Sequence, residues 1–381
     1  MPWQEQSVRS LREEFVVLAE RPDANVRELG RRFGISPTIG YAWLTRQRAA
    51  GAAGLSDRSR RPNASPRQTP PAIEARVVAL REQHPPWGGR KLQRRLVDLG
   101  EADAPAPSTI TAILRRHGLI DPEAALLHRP VVRFEAAAPN DRWQLDFTGR
   151  FALAHGRCHP LPVLDDHSRF ALGVAAGADE QGSTVQARLT DLFRRYGRPW
   201  SLRCDNGPPW GATRSEHQLT SVGVWLIRLG VEVWHGRPRH PQTQGKLERL
   251  NRTLTADGID RRRYADLATV QAAFDDWRAS DNHERPHEAL GLATPITRYA
   301  PSPRPFPETL PEIVYPADDA VRQVDAADCI SWRGRPWKLS VALAGQPVGL
   351  RPTLVDGVVE ARFCHHFVRT LDPRGDQACA H

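Results

Sequence analysis

The chain has 381 residues, 40% hydrophobic and 25% charged, which fits a globular protein of two to four domains and excludes a disordered chain. Its net charge of +9 is uneven. Residues 1–130 carry 21 basic and 14 acidic side chains, residues 131–300 carry 23 and 20, and residues 301–381 carry 9 and 10. A basic amino-terminal third beside a balanced middle points to one part that grips a polyanion and another with a different task. Lysines occur only at Lys91, Lys246 and Lys338; that bias explains arginine over lysine but not the asymmetry. Five cysteines form no CxxC pair, which speaks against a disulfide framework or a structural zinc site. No apolar run approaches the roughly 20 residues of a membrane span, and no signal-peptide core opens the chain. The expectation is a cytoplasmic protein with no membrane partner.

Residues 1–54 read as three helices. Leu11, Phe15 and Leu18 repeat at helical spacing, Asn25 caps a helix to about Phe33, and Gly34-Ile35 turns the chain. Ser36 caps a third helix with Pro37 in its first turn, and Ile39, Trp43 and Leu44 are expected to pack back on the first two. This is the pattern of a helix-turn-helix, whose second helix can enter a major groove. Gly40 stands where that helix would be better served by an apolar residue.

Residues 55–70 form a basic linker with Arg58, Arg60 and Arg61, which either follow phosphates and the minor groove or are simply solvated. Residues 71–125 read as a second helix-turn-helix-like unit. Ile73, Val77 and Leu80 line one helix, Trp87 to Leu92 opens another that includes Lys91, and Ser108 caps a third with Ile110, Ile113 and Leu114 inward.

The pattern then changes to strands over residues 135–300: Trp143 to Leu153, Leu161 to Leu164 and Phe170 to Ala175, followed by a helix to about Tyr196. A strand over Ser201 to Cys204, a helix, a strand over Val231 to Trp234 and further helices near Gln242 and Leu267 complete a mixed α/β layer. Six prolines within residues 301–316 mark a linker, and residues 317–375 read as a small SH3-like β-barrel with turn signals at Arg333-Gly334 and Asp356-Gly357. Cys364-His365-His366 is a poor metal site, because neighbouring residues on a strand point to opposite faces.

Three carboxylates stand at strategic places. Asp146 falls inside the expected first strand on the face of Gln144, where an acid is costly without a partner or a metal. Asp205 ends a short strand and is followed by Asn206-Gly207. Glu248 lies on a helix whose Leu247, Leu250 and Leu254 share the apolar side, with Gly245, Arg249 and Arg252 on the other. Hard oxygen ligands suit Mg²⁺ or Mn²⁺, and two such ions can clamp both oxygens of an in-line displacement at phosphorus. Asp165 and Asp166 are rivals for this role, but their turn setting favours bonds to local backbone.

Trp143-Gln144-Leu145-Asp146-Phe147-Thr148, Val163 to Arg169, Cys204-Asp205-Asn206-Gly207 and His240 to Arg249 occur in order, followed by Asn282-His283-Glu284-Arg285-Pro286-His287 and Leu290-Gly291 to Thr294-Pro295. Together they resemble bacterial insertion-sequence transposases with a retroviral-integrase-type catalytic core. The resemblance implies a ribonuclease-H-like core, helix-turn-helix domains ahead of it, a small β domain behind, and a catalytic triad of Asp146, Asp205 and Glu248 that also binds metal. Asp205 and Glu248 lie 43 positions apart, against roughly 36 in the commonest integrase pattern. Thr255 stands where many members carry a basic residue, so Arg249 and Arg252 are the candidates for that charge.

The expected activity is binding of an insertion element's ends, metal-dependent hydrolysis there, and joining of the 3′ ends to target DNA by transesterification. DNA contacts are expected from Arg58, Arg60, Arg61, Lys91, Lys246, Arg249 and Arg252, with a homo-oligomer pairing the two ends. No P-loop is present, so no nucleotide cofactor is expected. The alternatives are a DNA-binding regulator with an inactive core, which predicts loss of an acid, and a non-transposing nuclease of the same fold.

Overall fold

A computed structural model of the chain describes residues 7–57, 68–120, 135–211, 219–235, 245–260 and 262–375. The chain divides into two compact units at Gln68/Thr69. In the first, α1 (Val8–Ala19), α2 (Val26–Arg32) and α3 (Pro37–Ala50) each begin at a side-chain cap, Ser7, Asn25 and Ser36 respectively. Each cap oxygen accepts a backbone N–H that the helix would otherwise leave unpaired. Gly34 takes φ +66 to turn α2 into α3.

Phe15, Val16, Leu44 and Leu55 form the core of this unit. Ile39, expected inward, is instead 47% exposed, and the buried position beside it belongs to Gly40. A Cβ at Gly40 would stand 2.7 Å from Phe15 Cζ. The glycine that reads as a weakness in the sequence is where α3 closes on the Phe15 ring.

The second unit begins with α4 (Pro71–Gln83), α5 (Gly89–Asp98) and α6 (Pro107–Arg116) around Val77, Trp87, Leu92, Leu96, Ile110 and Ile113. The cap of α6 is Ala106, with Pro107 opening the helix, so Ser108 lies within the first turn rather than at the cap. Gly89 lets α5 start against α6, since a Cβ there would meet the Pro107 carbonyl oxygen at 2.4 Å.

The central sheet comprises β1 (Arg142–Leu145), β2 (Phe151–Ala152), β3 (Arg157–Asp165), β4 (Ala171–Gly177), β5 (Ser201–Cys204) and β6 (Glu232–His235). Strand β3 runs antiparallel to β1, β2 and β4, whereas β5 is parallel to both β1 and β6. The result is a mixed sheet flanked by α7 (Gly182–Tyr196), α8 (Ser221–Arg228), α9 (Gly245–Leu254) and α10 (Leu267–His283). Strand alternation divides the packing. Trp143, Leu145 and Leu202 meet Phe193 of α7 and Leu226 of α8, while Cys158, Val174 and Ala176 meet Val270 and Phe274 of α10.

The continuous strand expected from Trp143 to Leu153 is two strands. It breaks after Leu145, and Gly149 takes φ +80 before β2 begins. Asp146 therefore lies one residue past the end of β1, not inside it.

The proline-rich stretch runs along the core as a strap. Ser302 N–H donates to Tyr196 O, Arg198 N–H donates to Arg304 O, and the Arg304 guanidinium reaches the carbonyls of Pro199 and Gly230. Gly197 lies under this strap, where a Cβ would meet Ser302 O at 2.7 Å.

Beyond it, β7 (Ala320–Gln323), β10 (Pro347–Pro352), β11 (Val359–Phe363) and β12 (His366–Leu371) form one antiparallel sheet, and β8 (Cys329–Trp332) and β9 (Arg335–Lys338) a hairpin. Arg333 and Gly334, both at positive φ, make the two-residue hairpin turn. This β domain shares its core with Val224 and Ile227 of α8. No helix among the described residues is long and apolar enough to cross a membrane.

Candidate active site and nucleic-acid interface

Strands β1 and β5 are parallel neighbours, with Trp143 opposite Leu202 and Gln144 opposite Arg203. Each is followed directly by an aspartate, so Asp146 and Asp205 leave the same end of the sheet side by side. Asp146 is half-buried and its carboxyl is pushed up to about 6. Burial is the largest cause, the Asp205 charge comes next, and Glu180 adds to it, while the Phe147 N–H pulls the other way. The same two aspartates, after burial, raise the Cys204 thiol to about 12.

Asp205 is exposed, and its backbone carbonyl lies 3.1 Å from His235 Nδ1 on β6. Glu180, which sequence reasoning passed over, stands just ahead of α7 and meets His159 Nδ1 at 2.8 Å. No spacing in the sequence marks it, because a β-hairpin and a turn bring it to Asp146.

Glu248 lies in the first turn of α9, exposed, while Leu247, Leu250 and Leu254 are buried as expected. Among the described residues, no three His, Cys, Asp or Glu side chains come together closely enough to hold a metal ion. The structure thus brings Asp146 and Asp205 together and leaves Glu248 apart from them. The two aspartates suit a divalent cation on their own chemistry. Both are hard oxygen donors, their charges repel, and burial penalises the ionised form of Asp146.

The rival acids are occupied. Asp165 is fully buried and accepts the N–H of Asn140 at 2.7 Å, the N–H of Ser168 at 2.7 Å and the Ser168 hydroxyl at 2.6 Å. Asp166 accepts the Ala136 N–H at 2.6 Å, the Gln144 side-chain amide and the Lys246 ammonium.

That last contact places Lys246 against the core. Its Nζ donates to both the carboxylate and the backbone carbonyl of Asp166, so the side chain braces the turn between β3 and β4. Lys91 is also turned inward, and burial pushes its ammonium down to about 8. Arg249 and Arg252 are exposed, with Arg249 Nη2 3.6 Å from Glu288. Arg58, Arg60 and Arg61 lie outside the described residues.

In the amino-terminal unit, α3 presents Thr38, Ile39, Tyr41, Ala42 and Thr45 outward. Trp43 holds the base of that helix between the guanidinium groups of Arg12, 4.1 Å from the ring centre, and Arg46, at 4.3 Å.

Known families match along most of the chain. A helix-turn-helix domain model covers residues 11–63 and a homeodomain-like model residues 39–114. Integrase core domain models cover residues 136–241 and 229–295, and a model of the IS481 family transposase C-terminal domain covers residues 319–378.

The insertion element IS476 uncharacterized 39.2 kDa protein of Xanthomonas euvesicatoria is 27% identical over 274 residues, 70% of this chain and 75% of that protein. The insertion element IS407 uncharacterized 31.7 kDa protein of Burkholderia multivorans is 26% identical over 258 residues, 66% of this chain and 89% of that one. Among solved structures, the chain is similar to one in the simian T-cell lymphotropic virus intasome complex with PP2A regulatory subunit B56 gamma. That match has 18% identity and a TM-score of 0.39, and covers 78% of this chain and all of that one.

Proposed function

We propose, for a chain that belongs to the IS481-family transposases with helix-turn-helix and integrase core domains, that it cleaves the ends of its insertion element and joins them to target DNA. The observation that carries this reading is the Asp146–Asp205 pair. Two aspartates leave adjacent parallel strands at one end of the sheet, and burial together with the Asp205 charge makes ionising Asp146 costly. A fold seldom maintains such repulsion without a cationic ligand to relieve it.

Asp146, Asp205 and, with movement of α9, Glu248 would hold Mg²⁺ or Mn²⁺. When bound, the two ions would neutralise charge on the phosphate and lower the barrier to displacement at phosphorus.

In the first step, water attacks the phosphorus at the element end. A P–O bond forms, the bond to the 3′ oxygen breaks, and a 3′ hydroxyl is freed. In the second, that hydroxyl attacks a target phosphodiester, and one P–O bond replaces another. No outside energy source is needed, which fits a chain without a P-loop. The outward face of α3 reads the element end in a groove, and Arg249 and Arg252 lie along its phosphates. A homo-oligomer pairs the two ends, in the cytoplasm of a bacterium.

The test is to incubate the full chain with end-containing DNA and Mg²⁺ or Mn²⁺ and to score strand transfer. Joining that depends on metal and disappears in Asp205→Asn supports the reading. Joining that persists in Asp205→Asn, or is absent from the wild type, overturns it.

A further inference from the structure

Helix α5 carries Arg90, Lys91 and Arg95, and all three lie against the carboxyl end of α10 and the segment after it. Arg95 Nη2 is 3.1 Å from Glu284 Oε2, and Arg90 Nη2 is 3.6 Å from Glu288 Oε1. The other oxygen of Glu288 faces Arg249 Nη2 on α9, again at 3.6 Å. One carboxylate thus stands between a helix of the second helical unit and the residue next to Glu248.

Beneath it, Arg285 pairs with Asp257, just after α9, at 3.1 Å and with the buried Asp281 of α10 at 3.5 Å. Lys91 lies in the same field, facing Arg285 and Arg249 as like charges and Asp281 and Glu288 as opposite ones.

We propose that this basic face of α5, seated on Glu284 and Glu288, is a coupling joint that fixes the helix bearing Glu248 relative to the second helical unit, with Glu288 as its positioning residue. The joint rests on the reading of Glu248 as part of the catalytic site. Its weight lies in the connected set, since each exposed ion pair alone contributes little.

The arrangement also assigns different tasks to the faces of that unit. While α5 is engaged by the core, α6 keeps Ser108, Thr109, Ala112 and Arg115 exposed, so one helix can meet DNA while the other transmits its position. Glu248, exposed and apart from the aspartates, is the residue that has to be brought in. A joint acting on Arg249 and Asp257 holds α9 at the residue after Glu248 and again just beyond the helix's carboxyl end.

The experiment compares three full-length chains: wild type, the Arg95→Glu reversal, and a compensated chain that combines it with Glu284→Arg and leaves the Glu288–Arg249 contact intact. End joining is measured at saturating end DNA, with end binding and thermal unfolding alongside. The joint predicts that the reversal lowers the saturated joining rate at least tenfold, with a smaller change in KM for end DNA, and that the compensated chain recovers to within about threefold. An unchanged rate in the reversal, or a loss the compensated chain does not recover, overturns it. A wild type that joins nothing sinks the functional reading instead. The joint is then judged by Tm, which must fall in the reversal and return in the compensated chain.

Discussion

The two ends of strand β1 carry acid pairs of opposite character. At its start, Trp143 lies opposite Asp165 of β3, and Asp165 and Asp166 are surrounded by backbone N–H groups, a hydroxyl, an amide and the Lys246 ammonium. At its finish, Asp146 and Asp205 face each other, and the Phe147 N–H is the donor that works against the rise of the Asp146 carboxyl. The first pair completes its own hydrogen bonds and so holds the sheet's turn in place. The second is the pair proposed to hold a cation. Two aspartate pairs at either end of one short strand therefore differ by their partners, not by residue type.

The largest expected effect breaks that division at its reactive end. Asp146→Asn or Asp205→Asn should lower end joining by roughly a thousandfold or more, with Tm unchanged or raised, because each removes a repulsion rather than a support. At the other end the signs reverse. Asp165→Ala strands buried donors and should cost about 3 kcal/mol of stability, read from urea unfolding, while any protein that remains folded keeps its metal response.

A smaller effect is expected in the amino-terminal unit. Gly40→Leu forces side-chain atoms into the Phe15 ring and should destabilise that unit by about 1–3 kcal/mol, seen as faster amide exchange in α1 and α3.

The smallest concerns Lys91. Its folded pKa is lowered from 10.5 to about 8, so between those values the unfolded chain binds more protons and stability rises with pH. Below about pH 8 the cost of burying the charge is present in full. Lys91→Met should therefore be at least as stable as the wild type at pH 7 by thermal unfolding, with any advantage shrinking as the pH passes 8.

Much of this layout is legible in the sequence, for identifiable reasons. Cys204-Asp205-Asn206-Gly207 signals a strand end and a turn by residue type alone, and the leucines of α9 fix which side of that helix Glu248 occupies. Asp165 reveals its bonds to Ser168 because that partner is close in sequence, whereas the carboxylate partners of Asp166 are remote.

Long-range partners are another matter. Nothing local in the sequence shows that Lys246 will meet Asp166, eighty positions earlier. Lys91 looks exposed on its helix until α5 meets the end of α10. Gly40 reads as a flaw because no local rule shows that Phe15 will need its space. Asp146 reads as interior to a strand because nothing in the alternation of Trp143, Gln144 and Leu145 announces the break that follows.

Asp146 and Asp205 are proposed as the cation site, and Asp165 and Asp166 are not. Calorimetric titration of Mn²⁺ into the full chain, compared with Asp205→Asn and with Asp166→Asn, tests it most directly. Asp205→Asn should weaken Mn²⁺ binding at least tenfold and Asp166→Asn should leave the affinity within about twofold, at equal helix content by circular dichroism. Equal Mn²⁺ affinity in the wild type and Asp205→Asn, or a loss confined to Asp166→Asn, would contradict it.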